Sequence, residues 1–255
     1  TIAQGTDSAL PPLLIVPGLF GSARNWGVIA KHMAKTRRVV AVDMRNHGDS
    51  FWNDDHSYPA MAEDLAEVIA SEGGEMDVMG HSMGGKASMV LALTRPALVR
   101  RLVVADIAPV AYEHTHDGLI EAMQGLKIDD LTSRAEADRR LSESVSDAGT
   151  RAFLLQSLEL RDGPVRWKLN LDVLGAAMTT VTGWPELPSA PYDKPSLFLY
   201  GSQSAYVKPQ AHETIHALFP QAVLEGIEGA GHWVQQERPD EVLSYLLPFL
   251  EAERR

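Results

Sequence analysis

The chain has 255 residues, 45% of them hydrophobic and 22% charged, which is typical of a globular protein with one large core. A formal net charge of −11 disfavours nucleic acid or an anionic membrane surface as a partner. The absence of Cys excludes disulfides, thiol catalysis and Cys-based metal sites, and no apolar run approaches the ~18 residues of a membrane span. Because the first residues also lack a signal-peptide pattern, we expect a cytoplasmic protein.

Short apolar runs alternate with helical patterns in the first part of the chain. Continuous apolar strands of this kind are typical of a parallel sheet that helices cover on both faces. Such sheets bind ligands beyond the carboxyl ends of their strands. The predicted buried strands are 13–16, 39–42, 76–79 and 102–105, and helical spacing is visible at 26–35, 60–70 and after 82.

The alternation stops after residue 108 and resumes at 195. In between we predict a mainly helical cap, with Ser133 and Glu136 at capping-box spacing and a turn at 161–164 that indicates a small hairpin. The later elements are strands at 195–200 and 223–227 and helices at 209–219 and 239–251. The sequence therefore predicts an α/β core domain of residues 1–108 and 195–255, and a helical cap (lid) insertion of residues 109–194.

The segment Gly80-His81-Ser82-Met83-Gly84 lies between a predicted strand and a predicted helix. It matches G-x-S-x-G, the nucleophile elbow, in which a sharp strained turn presents a serine at the edge of a sheet. Glycine tolerates the crowding of such a turn. We therefore predict that Ser82 is a nucleophile.

A serine nucleophile needs a base within hydrogen-bond reach, and the base needs an acid that orients it. His232 follows the last predicted strand and is our choice of base; His47, also in a strand-end loop, is the best alternative. Asp106 closes the strand after the elbow unit and is our choice of acid. The loop 201–204 is the other plausible location for the acid, but it contains no carboxylate.

The negative charge that forms during acyl transfer needs preorganised N–H donors. The elbow itself supplies Met83 N–H at the start of its helix. The second donor should come from the loop after the first buried strand, where Gly18 lets the backbone approach closely. Leu19 N–H is the predicted donor, with Phe20 N–H as the adjacent alternative.

These residues and motifs resemble the α/β-hydrolase superfamily over nearly the whole chain, in the order Ser…Asp…His. The resemblance is to bacterial YbfF-like esterases, and it implies carboxylesterase activity on short-chain or acyl-thioester substrates, with the acid at Asp106. Ser204 stands where many members of the superfamily carry their acid. Pro17 replaces the histidine of the usual His-Gly pair, so that histidine's anchoring hydrogen bond is absent. The motifs that carry the resemblance are 18–22 with Asn25-Trp26, 45–48, the elbow continued by Lys86, 106–109 and 229–233.

Several aromatic side chains are candidates for substrate contact. Near the predicted site loops these are Phe20, His81, Tyr206 and Trp233. The apolar residues of the cap could line an acyl pocket, although each is also a candidate core residue. The cap residues considered are Met123, Phe153, Leu154, Trp167, Leu174, Met178 and Trp184.

Two histidine groups resemble metal motifs. His212-Glu213-x-x-His216 matches the H-E-x-x-H pattern, but both histidines would lie on the flank of a helix whose apolar stripe packs on the sheet. The segment His114-Thr115-His116-Asp117 is interpreted as a solvated loop at the cap entrance. We therefore predict no metal and no cofactor.

The sequence thus predicts a serine carboxylesterase that hydrolyses short- to medium-chain acyl esters through an acyl-enzyme. An acyl-CoA thioesterase or a perhydrolase would use the same three residues. A ligand receptor with weak hydrolase activity is an alternative from another class. The expected partner is a small-molecule acyl ester or thioester, and the oligomeric state stays open.

Overall fold

The computed structural model describes residues 1–5, 10–113, 116–161, 163–187 and 190–252. Its helices and strands follow the predicted alternation along the chain. The strands are β1 Ile2–Gln4, β2 Leu13–Val16, β3 Val39–Ala41, β4 Met76–His81, β5 Val99–Ala105, β6 Leu158–Glu159, β7 Arg166–Trp167, β8 Ser196–Gly201 and β9 Ala222–Ile227. The helices are α1 Gly27–Met33, α2 Tyr58–Ser71, α3 Met83–Thr94, α4 Asp117–Gly125, α5 Arg134–Leu141, α6 Ala148–Leu154, α7 Leu171–Ala176, α8 Met178–Thr182, α9 Pro209–Leu218, α10 Val234–Glu237 and α11 Pro239–Glu251.

Within the described residues the main sheet has seven strands in the order β1-β3-β2-β4-β5-β8-β9. All neighbouring pairs are parallel except β1 with β3. The predicted α/β class with a mostly parallel central sheet is confirmed. Strand β1 was not predicted, because it has only three residues, is partly exposed and lacks an apolar run.

Helices cover both faces of this sheet, as its alternating side chains require. Leu14 and Val16 of β2 join an apolar cluster with α2 and α3, whereas Leu13 and Ile15 join a second cluster with α1 and α11. Burial on both faces explains why β2 and β3 are apolar at every position. No helix in the described part of the chain combines the length and hydropathy needed to cross a membrane.

The segment 109–194, called the insertion below, contains α4 to α8 and the antiparallel pair β6–β7. The Ser133 hydroxyl accepts a hydrogen bond from Glu136 N–H at 3.2 Å and so caps α5 as predicted. Asn170 precedes α7, but its side chain donates to Asn46 Oδ1 instead of capping the helix. The apolar side chains of the insertion belong to the same cluster as α2 and α3, so the insertion is packed on the sheet core.

A buried charge cluster joins the amino-terminal ends of β4 and β5. The Asp77 carboxylate accepts bonds from Arg37 at 2.9 Å and from Arg100 at 2.6 and 2.7 Å. Asp77 and Arg37 are fully buried, and Arg37 Nε and Nη2 have no hydrogen-bond partner. The carboxylate is therefore the counter-charge that two guanidinium groups share inside the fold.

We expect Asp77→Asn to lower the free energy of unfolding by about 3–5 kcal/mol, because two buried cations lose their counter-charge. Urea denaturation measures this change. The matched control is Glu63→Gln, which breaks the exposed pair with Arg95 and should cost less than ~1 kcal/mol. A stability loss for Asp77→Asn that is no larger than the control's would contradict the role given to this cluster.

Candidate active site

Ser82 occupies the sharp turn between β4 and α3, where its backbone has φ 52° and ψ −122°. Two glycines make this turn possible. A Cβ at Gly80 would overlap the Gly84 carbonyl, and a Cβ at Gly84 would overlap the carbonyls of Val16 and Pro17. The turn thus needs glycine for close backbone approach, and it holds the serine at the carboxyl edge of the sheet.

Three side chains that lie far apart in the sequence form a continuous hydrogen-bonded chain at this edge. His232 Nε2 lies 3.1 Å from Ser82 Oγ, and His232 Nδ1 lies 2.6 Å from Asp106 Oδ2. The carboxylate next to Nδ1 fixes the proton on that nitrogen, so Nε2 is the acceptor for the serine hydroxyl. The structure therefore brings together Ser82, His232 and Asp106, the three residues predicted from the sequence.

Asp106 is fully buried and is held by two further donors. Gly201 N–H donates to Oδ1 at 3.0 Å and Ser204 Oγ donates to Oδ2 at 2.5 Å. Burial raises the pKa of Asp106 to about 6, whereas the Ser204 and Gly201 hydrogen bonds act in the opposite direction. The Ser204 hydroxyl thus stabilises the ionised form of the carboxylate that contacts His232.

Two aromatic rings hold the imidazole of His232 in place. Tyr206 stacks on it with ring centroids 4.1 Å apart, and the His81 ring lies 4.6 Å away. His81 Nε2 donates to the His232 carbonyl at 2.8 Å. Burial, followed by the charge of His232, lowers the pKa of His81 to about 3, so His81 is a neutral neighbour.

The loop after β2 forms a tight turn beside the serine. Gly21 N–H donates to the Gly18 carbonyl at 3.0 Å, and a Cβ on Gly18 would lie 3.1 Å from Ser82 Cβ. Phe20 N–H donates to His47 Nε2 at 3.1 Å and is therefore already used. Within the described residues Leu19 N–H and Met83 N–H make no hydrogen bond to another group, so both stay candidates for the oxyanion donors, and the Phe20 alternative is disfavoured.

Ser82 and His232 open into a cavity of about 470 Å³ between the strand-end loops and the insertion. Its wall is mainly apolar and aromatic. The loops of the sheet contribute Leu19, Phe20, His81, Ser82, Tyr206, His232 and Trp233, and the insertion contributes His116, Leu119, Ser144, Val145, Ser146, Asp147, Thr150, Phe153 and Leu154.

The cavity lining corrects one predicted contact. Trp184 does not line it; this half-buried side chain packs on the apolar cluster shared with the sheet. Lys86 explains the difference, because its Nζ binds the carbonyls of Thr182 and Gly183 at 2.9 and 2.5 Å and so holds the chain just before Trp184 against α3. Of the other cap candidates, Phe153 and Leu154 line the cavity, whereas the remainder are buried in the core: Met123, Trp167, Leu174 and Met178.

Lys86 continues the elbow motif in the sequence, and the motif alone did not predict its role in the structure. Its side chain is buried, and Nζ lies 4.7 Å from the Tyr112 ring centroid and 5.7 Å from that of Tyr58. Burial lowers the pKa of Lys86 to about 7. A single lysine in the otherwise uncharged α3 is the sequence feature that could have indicated this contact between α3 and the insertion.

The other histidine motifs do not form a second reactive site in the described residues. His47, the alternative base, is fully buried and bonds to Phe20 N–H instead of the serine. In residues 1–5, 10–113, 116–161, 163–187 and 190–252, no three His, Asp or Glu side chains are close enough to bind a metal ion. His114 and Thr115 of the other candidate motif lie outside the described residues.

Residues 11–239 match the family model of the α/β hydrolase fold. The chain belongs to this family, and the resemblance predicted from its motifs is confirmed. It is an enzyme of the esterase and lipase type within that family.

Two curated relatives and one solved structure are similar along nearly the whole chain. The sn-1-specific diacylglycerol lipase ABHD11 of Mus musculus is 42% identical over 253 residues, which cover 96% of this chain and 82% of the relative. Esterase YbfF of Escherichia coli K12 is 38% identical over 241 residues, with 94% and 92% coverage. The structure of a marine microorganism esterase superposes with a TM-score of 0.93 at 35% identity and covers 97% of both chains.

The pH profile of hydrolysis tests the pair of Asp106 and Ser204. Since the folded pKa of Asp106 is about 6, kcat/KM should fall as the pH drops through this value and the carboxylate loses its charge beside His232. Ser204→Ala removes a hydrogen bond that lowers this pKa, so the acidic limb should move to higher pH. At pH 8.5 the variant should keep its activity within about threefold, because Asp106 is still ionised there.

The matched control is Ser202→Ala in the same loop, where the hydroxyl accepts from Gly229 N–H and does not touch Asp106. Its acidic limb should coincide with that of the wild type. A Ser204→Ala profile that also coincides with the wild type would show that this hydroxyl does not influence the titration of Asp106.

Proposed function

We propose that the chain is a serine carboxylesterase that hydrolyses uncharged short- to medium-chain acyl esters. The observation that carries this proposal is the hydrogen-bonded series Ser82–His232–Asp106 at the floor of a largely apolar cavity. Each contact is within the distance that general-base activation of a serine requires. The esterase and lipase names of the relatives support the same reaction class.

In the first half of the reaction Ser82 Oγ attacks the ester carbonyl while His232 Nε2 takes its proton. Asp106 holds the imidazole in the required tautomer and stabilises the imidazolium. The N–H groups of Leu19 and Met83 donate to the oxyanion of the tetrahedral intermediate. These hydrogen bonds become stronger as negative charge develops on the oxygen. When the intermediate collapses, the imidazolium returns the proton to the leaving alcohol and an acyl-Ser82 ester remains.

In the second half a water molecule attacks this acyl-enzyme. His232 Nε2 takes a proton from the water, and the same two N–H groups bind the second oxyanion. Collapse of this intermediate releases the carboxylic acid and restores the Ser82 hydroxyl from the imidazolium proton. No step requires a cofactor.

The insertion acts in this proposal as the cap that selects the substrate. Its contribution to the cavity includes Leu119, Val145, Phe153 and Leu154, which suit an acyl chain. No Lys or Arg lines the cavity in the described residues, whereas Asp147 does, and the N–H of Thr150 lowers the pKa of that carboxyl. An ionised carboxylate in a wall without Lys or Arg disfavours anionic substrates, whereas an uncharged ester meets no such repulsion. Diacylglycerol, for which the mouse relative is named, is also an uncharged ester.

We expect Ser82→Ala to lower kcat for a nitrophenyl ester by ~10⁴-fold or more, because the nucleophile is removed. Labelling by a fluorophosphonate should disappear in the same variant. Asp106→Asn should also be severely impaired, since the amide cannot stabilise the imidazolium. Near-normal turnover or retained labelling in folded Ser82→Ala would overturn the proposal, and Ser202→Ala serves as the control.

A panel of nitrophenyl esters and CoA thioesters with matched acyl groups tests the substrate class. From acetyl to about hexanoyl, kcat/KM for the esters should rise by up to about fourfold per methylene, because each one is buried in the apolar wall. The corresponding CoA thioesters should be poorer substrates. Steady multiple turnover separates an enzyme from a receptor, and a preference for the thioesters would replace the carboxylesterase proposal by a thioesterase.

A further inference from the structure

The backbone of Phe20 is held from two sides. Its N–H donates to His47 Nε2 at 3.1 Å, and its carbonyl accepts a hydrogen bond from Ser157 Oγ at 3.0 Å. His47 belongs to the loop after β3, whereas Ser157 belongs to the insertion, between α6 and β6. We call this pair of contacts the Phe20 clamp. All three residues are buried, so water does not compete for these bonds.

The clamp acts on a strained position. Phe20 has φ 62°, in the left-handed region that non-glycine residues seldom adopt, and it is the third residue of the turn from Gly18 to Gly21. A relaxed turn with Phe20 at negative φ would turn over the peptide between Leu19 and Phe20. The Phe20 N–H could then no longer reach His47. The two bonds therefore hold a conformation that the turn would not keep by itself.

His47 is prepared to act as the acceptor in this clamp. Its Nδ1 lies 2.9 Å from the Arg45 carbonyl, which fixes the proton on Nδ1 and leaves Nε2 with a lone pair. Burial lowers the pKa of His47 to about 4, so the ring is neutral near pH 7. Arg45 is in turn fixed by a two-point contact with Asp64 at 2.6 and 2.7 Å.

The insertion is tied to the same loop that carries His47. Gly48 N–H donates to the Lys168 carbonyl at 2.8 Å, and Asn170 N–H donates to the Asn46 carbonyl at 3.0 Å. Lys168 N–H donates to the Ser157 carbonyl at 2.8 Å, which connects this contact directly to the clamp. Asn46 itself has φ 66°, a second strained residue beside the clamp. Docking of the insertion therefore fixes both sides of Phe20.

We propose that the Phe20 clamp positions Leu19 N–H as an oxyanion donor, so that the insertion contributes to the reaction through Ser157. This inference rests on the proposed esterase function. His47 and Ser157 are positioning residues in it, since neither lines the cavity that contains Ser82. The clamp also supplies the anchor that Pro17 cannot give to this loop. Because oxyanion stabilisation depends on donor placement, loss of the clamp should lower kcat and leave KM nearly unchanged.

The first test compares His47→Leu with His47→Gln. Leucine removes the acceptor, and we expect a roughly 100-fold lower kcat with KM within about twofold. This loss is at the lower end of the ~10²–10³-fold loss that follows removal of one oxyanion donor. Glutamine keeps an acceptor oxygen near the position of Nε2, so kcat of His47→Gln should be at least about tenfold higher than that of His47→Leu. Inhibition by an alkyl boronic acid, whose tetrahedral adduct needs the same donors, should weaken in parallel with kcat.

The second test uses Ser157→Ala and Ser157→Thr in the insertion. Alanine should lower kcat about tenfold, and threonine, which keeps the hydroxyl, should lower it less. Ser142→Ala is the matched control, because its hydroxyl donates only to the Arg139 carbonyl within the insertion. In the double variant His47→Leu/Ser157→Ala the effects should be less than additive, since both residues hold the backbone of Phe20.

The outcomes separate this inference from the proposed function. If the wild-type chain hydrolyses no ester, the proposed function fails first. If the wild type is active and His47→Leu, with an unchanged urea midpoint, keeps kcat and boronate affinity within twofold, the clamp does not position the donor. A loss of kcat in His47→Leu that follows only a loss of stability, with no recovery in His47→Gln, would likewise overturn the inference.

Discussion

The close backbone approach at the nucleophile elbow is the constraint on which the rest of the site depends. Helix α3 begins so near to the end of β2 that a side chain at Gly84 would overlap the carbonyls of Val16 and Pro17. The serine and the loop with Leu19 are thereby placed relative to each other by main-chain contacts. Rigid backbone on both sides is what the proposed pair of N–H donors requires, and the acid and base reach the serine from the carboxyl ends of β5 and β9.

The parts of the molecule that follow from this constraint could be predicted from the sequence. Buried parallel strands are mainly apolar, and their carboxyl ends meet at one edge, so Asp106 and His232 could be assigned by their places after β5 and β9. Trp184, a predicted substrate contact, does not line the cavity, and Lys86 holds the carbonyls that precede it. The partner of His47 and the bond from Ser157 could not be predicted, since both depend on contacts across 27 and 137 residues.

The insertion is part of the same apolar core as one face of the sheet, and it is also bound to the sheet by polar contacts. Lys86 binds the end of α8, and the loop with Asn46 and Gly48 binds the chain between β7 and α7. The cavity lies between the insertion and the strand-end loops. Under the proposed function, substrate selection and the geometry of the catalytic loops are therefore properties of one packed interface, and a change in the insertion should affect both.

In the described residues, the four non-glycine residues with positive φ are Phe20, Asn46, Ser82 and Asp106, and all of them belong to this site or its support. Each such conformation costs of order 1–3 kcal/mol, which the surrounding fold must supply. Substitutions that relax these positions raise the stability of the folded chain and loosen the reactive geometry. Stability and activity are thus opposed at these four residues, and a variant selected only for resistance to heat would tend to lose turnover there first.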